Sequence, residues 1–499
     1  MRTSIAILVM FFFPVFGFSQ YAILPSEKNS YQKPTSYDEL SSYIQLLDNQ
    51  SDLLKVEIAG QSVAGRNLYT MLFSSSEFAR DESKIKVLIF AQQHGNEQSG
   101  KEGALLLAAE LLKPENRYLF DKIDLALVPQ VNPDGSENNK RRNANGMDLN
   151  RNHMILTEPE TQMLHELFDR YLFEVTMDVH EYSPYGESWK KYGYRKNADI
   201  TLGATTNINV SENIREFSGN VYLPFIFKYL GDRKFSSFTY CPGGPPGEEY
   251  IRHSTFDVND GRQSFGIQNT FSFIQEGMNG KDDSIENLKH RAEGQMTGMR
   301  GLLEFVYGNK DKIKFMVSEE RKKLLAPAPG LNVSIQSVHV PSGKPLLLPL
   351  LSYTTDSDTL VRVKDYRPLV RSLADVQKPL GYLIPKDCAI MMDWAGRQAF
   401  EQVKFKKDPG IQIGQYMITA IDSIDFEGEI VVDPQVKMND LKELPAGRDF
   451  IYLPTAQLKG NLLVLALEPK SMLGLVTYEK YARLLKTGQS FPVLRIMKK

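Results

Sequence analysis

Apolar and polar residues alternate in two different rhythms along this chain. Residues 86–91 (KVLIFA) form an unbroken apolar run, as expected of a strand buried on both faces of a sheet. Residues 123–128 (IDLALV), 173–179 (FEVTMDV) and 270–274 (TFSFI) read as further strands. Between them the period becomes helical: 100–112 aligns Leu105, Ala108, Ala109 and Leu112 on one face. Residues 158–171 predict a helix with Thr157 as N-cap and Pro159 in its first turn. Residues 56–58 and 68–73 flank a Gly/Ala turn and predict a β-hairpin with a longer loop. A long amphipathic helix is predicted over 284–307. Strands alternating with helices indicate an α/β layered domain with a largely parallel sheet.

The rhythm changes after residue 323. The segment 324–330 (LLAPAPG) reads as a linker, followed by short β-type runs at 333–340, 359–363, 403–405, 429–432 and 462–467. One helical pattern, 477–487, lies near the C-terminus. Residues 331–499 are therefore expected to form a smaller β-rich domain behind a catalytic-sized one at 20–323. Residues 1–19 read differently again. One Arg precedes an apolar run, and Gly17 and Ser19 fit a small-residue cleavage site, which predicts a signal peptide cut after Ser19. The run falls short of the roughly 20 residues a bilayer needs and Pro14 interrupts it, so export is expected rather than a stable membrane anchor. No propeptide is evident after Gln20, and no activation by trimming is expected.

Composition narrows the function classes. At 499 residues the chain exceeds one ordinary domain, and 42% apolar with 24% charged residues is that of a soluble globular protein. A net charge of −2 lacks the basic footprint of a nucleic-acid binder. Two cysteines, Cys241 and Cys388, exclude a disulfide scaffold and any Cys-rich metal module; whether they pair or stay thiols is left open.

Candidate chemistry gathers where buried strands end. His94 and Glu97 (HGNE) follow the strand 86–91, three residues apart, so an imidazole and a carboxylate could converge on one metal ion. The pattern alone is weak: His290 and Glu293 repeat it inside the helix 284–307, where it reads as a solvated face. His180 follows strand 173–179 and would emerge at the same sheet edge. Two histidines and a glutamate leave zinc an open fourth position, the catalytic arrangement. Between these ligands, residues 132–152 interleave Arg141, Arg142 and Arg151 with Asn143, Asn145, Asn150 and Asn152. Arginine suits bidentate binding of a carboxylate, and one beside the metal could hold a developing oxyanion.

In order and spacing, these residues resemble the zinc metallocarboxypeptidases over 35–307. Residues 60–68 look like that family's early hairpin; HGNE, NPDG, Arg141-x-Asn-Ala, DLNRN (148–152), DVHEYS and FSFIQE (271–276) match its motifs in sequence. The resemblance implies a mixed eight-stranded sheet between helices and one zinc ion per chain on His94, Glu97 and His180. It implies that Arg141 polarises the scissile carbonyl, that Asn150 and Arg151 hold the substrate's terminal carboxylate, and that Glu276 is general base and acid. Zinc lowers the pKa of bound water to about 7, and Glu276 could take that proton and pass it to the leaving amine. Two features depart from the family. The tyrosine that closes over substrate has only Tyr240 and Tyr250 as candidates, and the Gly/Pro-rich run 242–247 is expected as a lid. Residues 452–472 and the closing FPVLRI resemble the appended domain of a bacterial branch.

The leading expectation is an exported zinc carboxypeptidase acting on peptides with a free C-terminal carboxylate. An alternative keeps the zinc but cleaves amides of cell-wall peptides or acylated amino acids. A third, a non-catalytic binding protein, predicts a missing ligand or base, and the sequence lacks none.

Overall fold

The computed structural model describes residues 23–499 except 282–284, 328–329 and 427. The predicted signal peptide lies outside the described residues. Eight strands form the main sheet: β1 (Leu54–Gln61), β2 (Asn67–Phe73), β3 (Ile85–Ala91), β4 (Ile123–Val128), β5 (Val175–Tyr182), β6 (Ile200–Ala204), β7 (Ser237–Thr239) and β8 (Phe271–Met278). Their order is β1-β2-β4-β3-β5-β8-β6-β7. β4, β3, β5 and β8 pair in parallel, whereas β1 with β2, β2 with β4, and β8 with β6 are antiparallel. The sheet is therefore mixed and eight-stranded, as expected. Because β3, β5 and β8 run the same way, their carboxyl ends open on one edge, where sites on such sheets form.

Alternation along each strand explains the layers. Val87, Ile89 and Ala91 of β3 point into one apolar cluster with Leu105 and Ala108 of α2 (Gln98–Leu111) and Leu302 and Leu303 of α5 (Leu288–Leu325). Leu88 and Phe90 point the other way, onto Met163, Leu164 and Phe168 of α3 (Pro159–Tyr171). Helices thus cover both faces, which is why β3 carries no polar alternation. The first face is completed by α1 (Tyr37–Gln50), opened by a Ser36–Glu39 capping box, and α4 (Leu223–Gly231). Close contact of α2 with α5 needs Gly103, where a Cβ would lie 2.9 Å from the Ala292 carbonyl oxygen and 3.0 Å from the Met296 nitrogen.

The C-terminal region holds a five-stranded antiparallel sheet in the order Glu429–Leu441, Ile411–Phe426, Ser490–Lys498, Gly381–Pro385, Phe450–Pro454. Two smaller sheets join it: Asn332–Val340 pairs with Leu369–Gln377, and Leu346–Ser352 pairs with Ser357–Val363. Leu346–Ser352 also pairs with Tyr194–Lys196 of the catalytic part. One apolar cluster runs from the catalytic helices into Trp394 and Leu463.

Several expectations are corrected. Residues 462–467 lie not in a strand but in the helix Gly460–Leu467, buried on all sides, the case in which periodicity cannot separate helix from strand. Residues 403–405 contribute only a bridge from Val403 to Tyr452. The pattern at 477–487 yields only the short helix Glu479–Ala482. The helix predicted over 284–307 is α5, which continues to Leu325 and takes the first residues of the expected linker. The residue before α3 is Glu158, and the Thr157 hydroxyl instead bonds Asn152 and the Glu158 carboxylate. Cys241 and Cys388 are both free. Among the described residues, no helix is long and apolar enough to cross a membrane.

Candidate metal centre and active site

His94 sits in the turn after β3, Glu97 immediately before the first residue of α2, and His180 within β5, which extends past the predicted strand end. Glu97 gathers the two rings: Oε1 lies 2.7 Å from His94 Nδ1 and Oε2 lies 2.9 Å from His180 Nδ1. The two Nδ1 atoms are 3.1 Å apart. All three residues are buried, and one potential ligand atom from each falls within 4.8 Å of the others.

The outer ring nitrogens face carboxylates. His94 Nε2 is 3.1 Å from Asp148 and His180 Nε2 is 2.8 Å from Asp178. Such partners draw the ring proton outward and leave an inward lone pair on each Nδ1. Two lone pairs and a carboxylate converging in a buried space form a donor set that suits zinc, so the residues fit the metal the motif implies. Burial pushes the Glu97 carboxyl upward, but His94 and His180 outweigh it and hold it well below the usual carboxylate range.

This juxtaposition depends on Gly95. A Cβ there would stand 2.1 Å from the Gly135 carbonyl carbon and 2.3 Å from the Ser136 nitrogen, backbone atoms of the NPDG turn. Gly95→Ala is expected to destabilise the fold by about 1–3 kcal/mol or more, as overpacking does, and to lower bound zinc. Metal analysis and a denaturant melt check this, and an Ala variant with full zinc and stability would contradict it.

The remaining predicted residues surround the centre. Arg141 donates from Nε to Asp148 at 3.0 Å, with one guanidinium nitrogen 3.2 Å from His94 Nδ1, while half of its side chain faces solvent. Asn150 faces His180 through Nδ2 at 3.2 Å. Its Oδ1 accepts from Gln93 Nε2 and from the Gly261 amide. Arg151 donates to the Asn150 carbonyl; burial opposes its charge, but Asp257, Asp148 and Asp260 outweigh it and raise its pKa. Glu276 lies on β8 directly opposite His180 of β5. Burial pushes its carboxyl up to about 7, Glu97 adding to the shift and the two histidines opposing it. A carboxyl poised there can both accept and return a proton near neutrality.

Other residues of the stretch serve structure. Asn143 and Asn145 bond Glu158, Asn152 ties Thr157, Thr161 and the Glu158 amide, and Arg142 donates to the Gly146 carbonyl. His290 of the duplicate motif lies half-exposed on α5 and pairs with Asp199. Sequence reading missed Asp178, Asp148 and Gln93. Asp178 had a signal, since in a strand residues two apart share a face and it precedes His180 by two. Of the two tyrosines, Tyr250 stacks with Arg367 of the C-terminal region at 4.1 Å. Burial raises the Tyr240 phenol, with Glu276 adding and Arg262 and Arg151 opposing. In the Gly/Pro run Gly244 packs on Trp189, and Lys196 donates to the Cys241 and Gly243 carbonyls.

Gln93 also connects the centre to a buried histidine pair. Its Oε1 lies 2.8 Å from His153 Nε2, and His153 Nδ1 lies 3.0 Å from His165 Nε2. Burial pushes His153 down to about 4 and His165 well below its ordinary value. The unfolded chain takes up protons near 6.5 that these rings refuse, so their contribution is complete above that pH and lost as pH falls toward 4. Between pH 6.5 and 5 His153 alone is expected to account for about 2 kcal/mol. Denaturant melts of chelated protein at the two pH values test this without metal loss intervening.

A family model described as zinc carboxypeptidase matches residues 40–220. Carboxypeptidase 2 of Trichophyton rubrum is 23% identical over 489 residues, covering 93% of this chain and 87% of the relative. Carboxypeptidase D of Mus musculus is 28% identical over 231 residues, 40% of this chain and 17% of the relative. A crystal structure of a metallo-carboxypeptidase from Burkholderia cenocepacia aligns with 56% of this chain and 70% of its own, at 18% identity and TM-score 0.44.

Proposed function

Over residues 40–220 the chain belongs to the zinc carboxypeptidase family, and from that premise we propose that it is exported and trims single residues from peptides with a free C-terminal carboxylate. Carboxypeptidase activity is the chain's chemistry; the residue roles, the substrate and the export are our reading. The convergence of His94, Glu97 and His180, with Glu276 opposite His180 on the adjacent strand, is the observation that carries it.

His94, Glu97 and His180 would hold one zinc ion, which when bound supplies a Lewis acid that acidifies water and polarises a carbonyl. Glu276 accepts a proton from the attacking water and delivers it to the amine as the C–N bond breaks. Arg141, held by Asp148 beside His94, offers a guanidinium to the developing oxyanion. Arg151 receives the terminal carboxylate, and Asn150 braces that end of the cleft through Gln93, Gly261 and His180. Tyr240, whose phenol is held protonated near Glu276 and Arg151, is our choice for the tyrosine that closes on substrate. Export rests on residues 1–19 alone. Membership of a bacterial branch rests on the resemblance of residues 452–472; the relative aligned over 93% of the chain is fungal.

A peptide library digested with and without a chelator and read by mass spectrometry tests the function. Loss of single C-terminal residues is expected, abolished by the chelator and absent from C-terminally amidated peptides. Cleavage confined to murein peptides would replace this reading with the amidase one.

A further inference from the structure

The C-terminal region grips the backbone of the segment that carries Asn150 and Arg151. The helix Ala389–Arg397 and the residue that follows it present three side chains to consecutive carbonyls. Trp394 Nε1 donates to Met154 O at 2.9 Å, Gln398 Nε2 donates to Met154 O at 2.9 Å and His153 O at 3.2 Å, and Arg397 Nε donates to Ile155 O at 3.2 Å. Residues 153–155 form a turn in which the Asn152 carbonyl accepts from the Ile155 and Leu156 amides, while their own carbonyls point out to the C-terminal side chains. The gripping side chains are themselves fixed. Trp394 is fully buried against Phe400, and Lys459 joins the Gln398 carbonyl to Asp169 of α3.

From this grip the contacts lead straight to the cleft. The His153 ring meets Gln93, whose Nε2 donates both to Asn150 Oδ1 and to Asp178, the outer partner of His180. The His153 amide donates to Asn259 O, in the loop between Asp257 and Asp260, the acidic residues around Arg151. That loop is pressed from the C-terminal side as well, with Phe256 against His339 at 5.1 Å and Phe426 at 5.6 Å. A buried carbonyl left without its donor costs about 1–3 kcal/mol, so the segment has reason to hold one course.

We propose that residues 331–499 position the carboxylate-binding end of the cleft, with Trp394 and Gln398 as positioning residues acting through His153–Ile155 on Asn150 and Arg151. The proposal rests on the reading of Arg151 as the carboxylate clamp. It assigns the C-terminal region a share in ground-state binding, leaving the metal and Glu276 to the chemical step.

Zinc-loaded full-length protein carrying Trp394→Phe, Gln398→Met or Arg151→Gln is compared with the parent on one peptide with a free C-terminus. Trp394→Phe keeps an aromatic ring in the buried site while losing the indole N–H and part of the ring volume, so, with a melt confirming that it is folded, it carries the test if Gln398→Met folds poorly. The two positioning variants are expected to raise KM about tenfold with kcat within about threefold and zinc content unchanged, the split that loss of substrate positioning produces. An unchanged KM in Trp394→Phe, or equal loss of kcat and zinc, would overturn the proposal and leave the region a folding scaffold. If Arg151→Gln itself leaves KM unchanged, the clamp reading fails and takes the proposal with it. If Arg151→Gln raises KM and the other two do not, only the proposal falls.

Discussion

Glu276→Gln is expected to lower kcat by about 10³–10⁴-fold, near the upper end of what one general acid–base group supplies, with zinc content and KM close to those of the parent. The substitution keeps the volume and hydrogen-bonding shape on β8 but removes the group that accepts and returns the proton. Burial is what suits Glu276 to both tasks, since it brings the carboxyl up to about 7 and within reach of either protonation state near neutrality. Glu97 cannot replace it, being committed between His94 and His180. Steady-state kinetics with metal analysis decide the matter, and a Gln variant with full activity would remove Glu276 from the mechanism.

The second large effect is on the metal. Glu97→Ala is expected to weaken zinc binding by more than the 10–100-fold typical of losing an outer partner, and to abolish activity at ordinary zinc concentrations. Glu97 supplies a potential ligand oxygen and also sets the two rings, with contacts of 2.7 and 2.9 Å to their inner nitrogens. Without it, His94 and His180 would bring two lone pairs 3.1 Å apart with no anion between them. Asp178→Asn provides the scale, because it removes only the outer partner of His180 and is expected to lose 10–100-fold in affinity. Competition against a zinc chelator measures both. An Ala variant that loses no more than Asp178→Asn would show that Glu97 is no ligand.

Legibility in the sequence followed the regular elements. HGNE could be read because an unbroken apolar run ends three residues before His94, and His180 because it directly follows the alternating strand pattern 173–179. Asp178 was within reach by the two-residue period of a strand. Asp148 was not, since a loop residue carries no period that reveals its neighbours. The run 462–467 misled because a short apolar segment buried on every side reads alike as helix or strand. The two tyrosines could not be ranked from the chain; Arg367 stacks on Tyr250, while the Tyr240 phenol feels the charges of Glu276 and Arg151.

By itself, then, the sequence determined the α/β layering, the three metal ligands and the chemistry they can perform, because strand ends and motif spacing are local properties of the chain. The tertiary structure decided which carboxylates stand behind the histidines, how far burial moves Glu276, and that Trp394, Arg397 and Gln398 hold residues 153–155. Apart from His180 and Asp178, neighbours two apart on one strand, those features join positions from 54 residues apart, His94 with Asp148, to 245 apart, His153 with Gln398. No periodicity spans such distances, and only packing brings them within reach of a hydrogen bond.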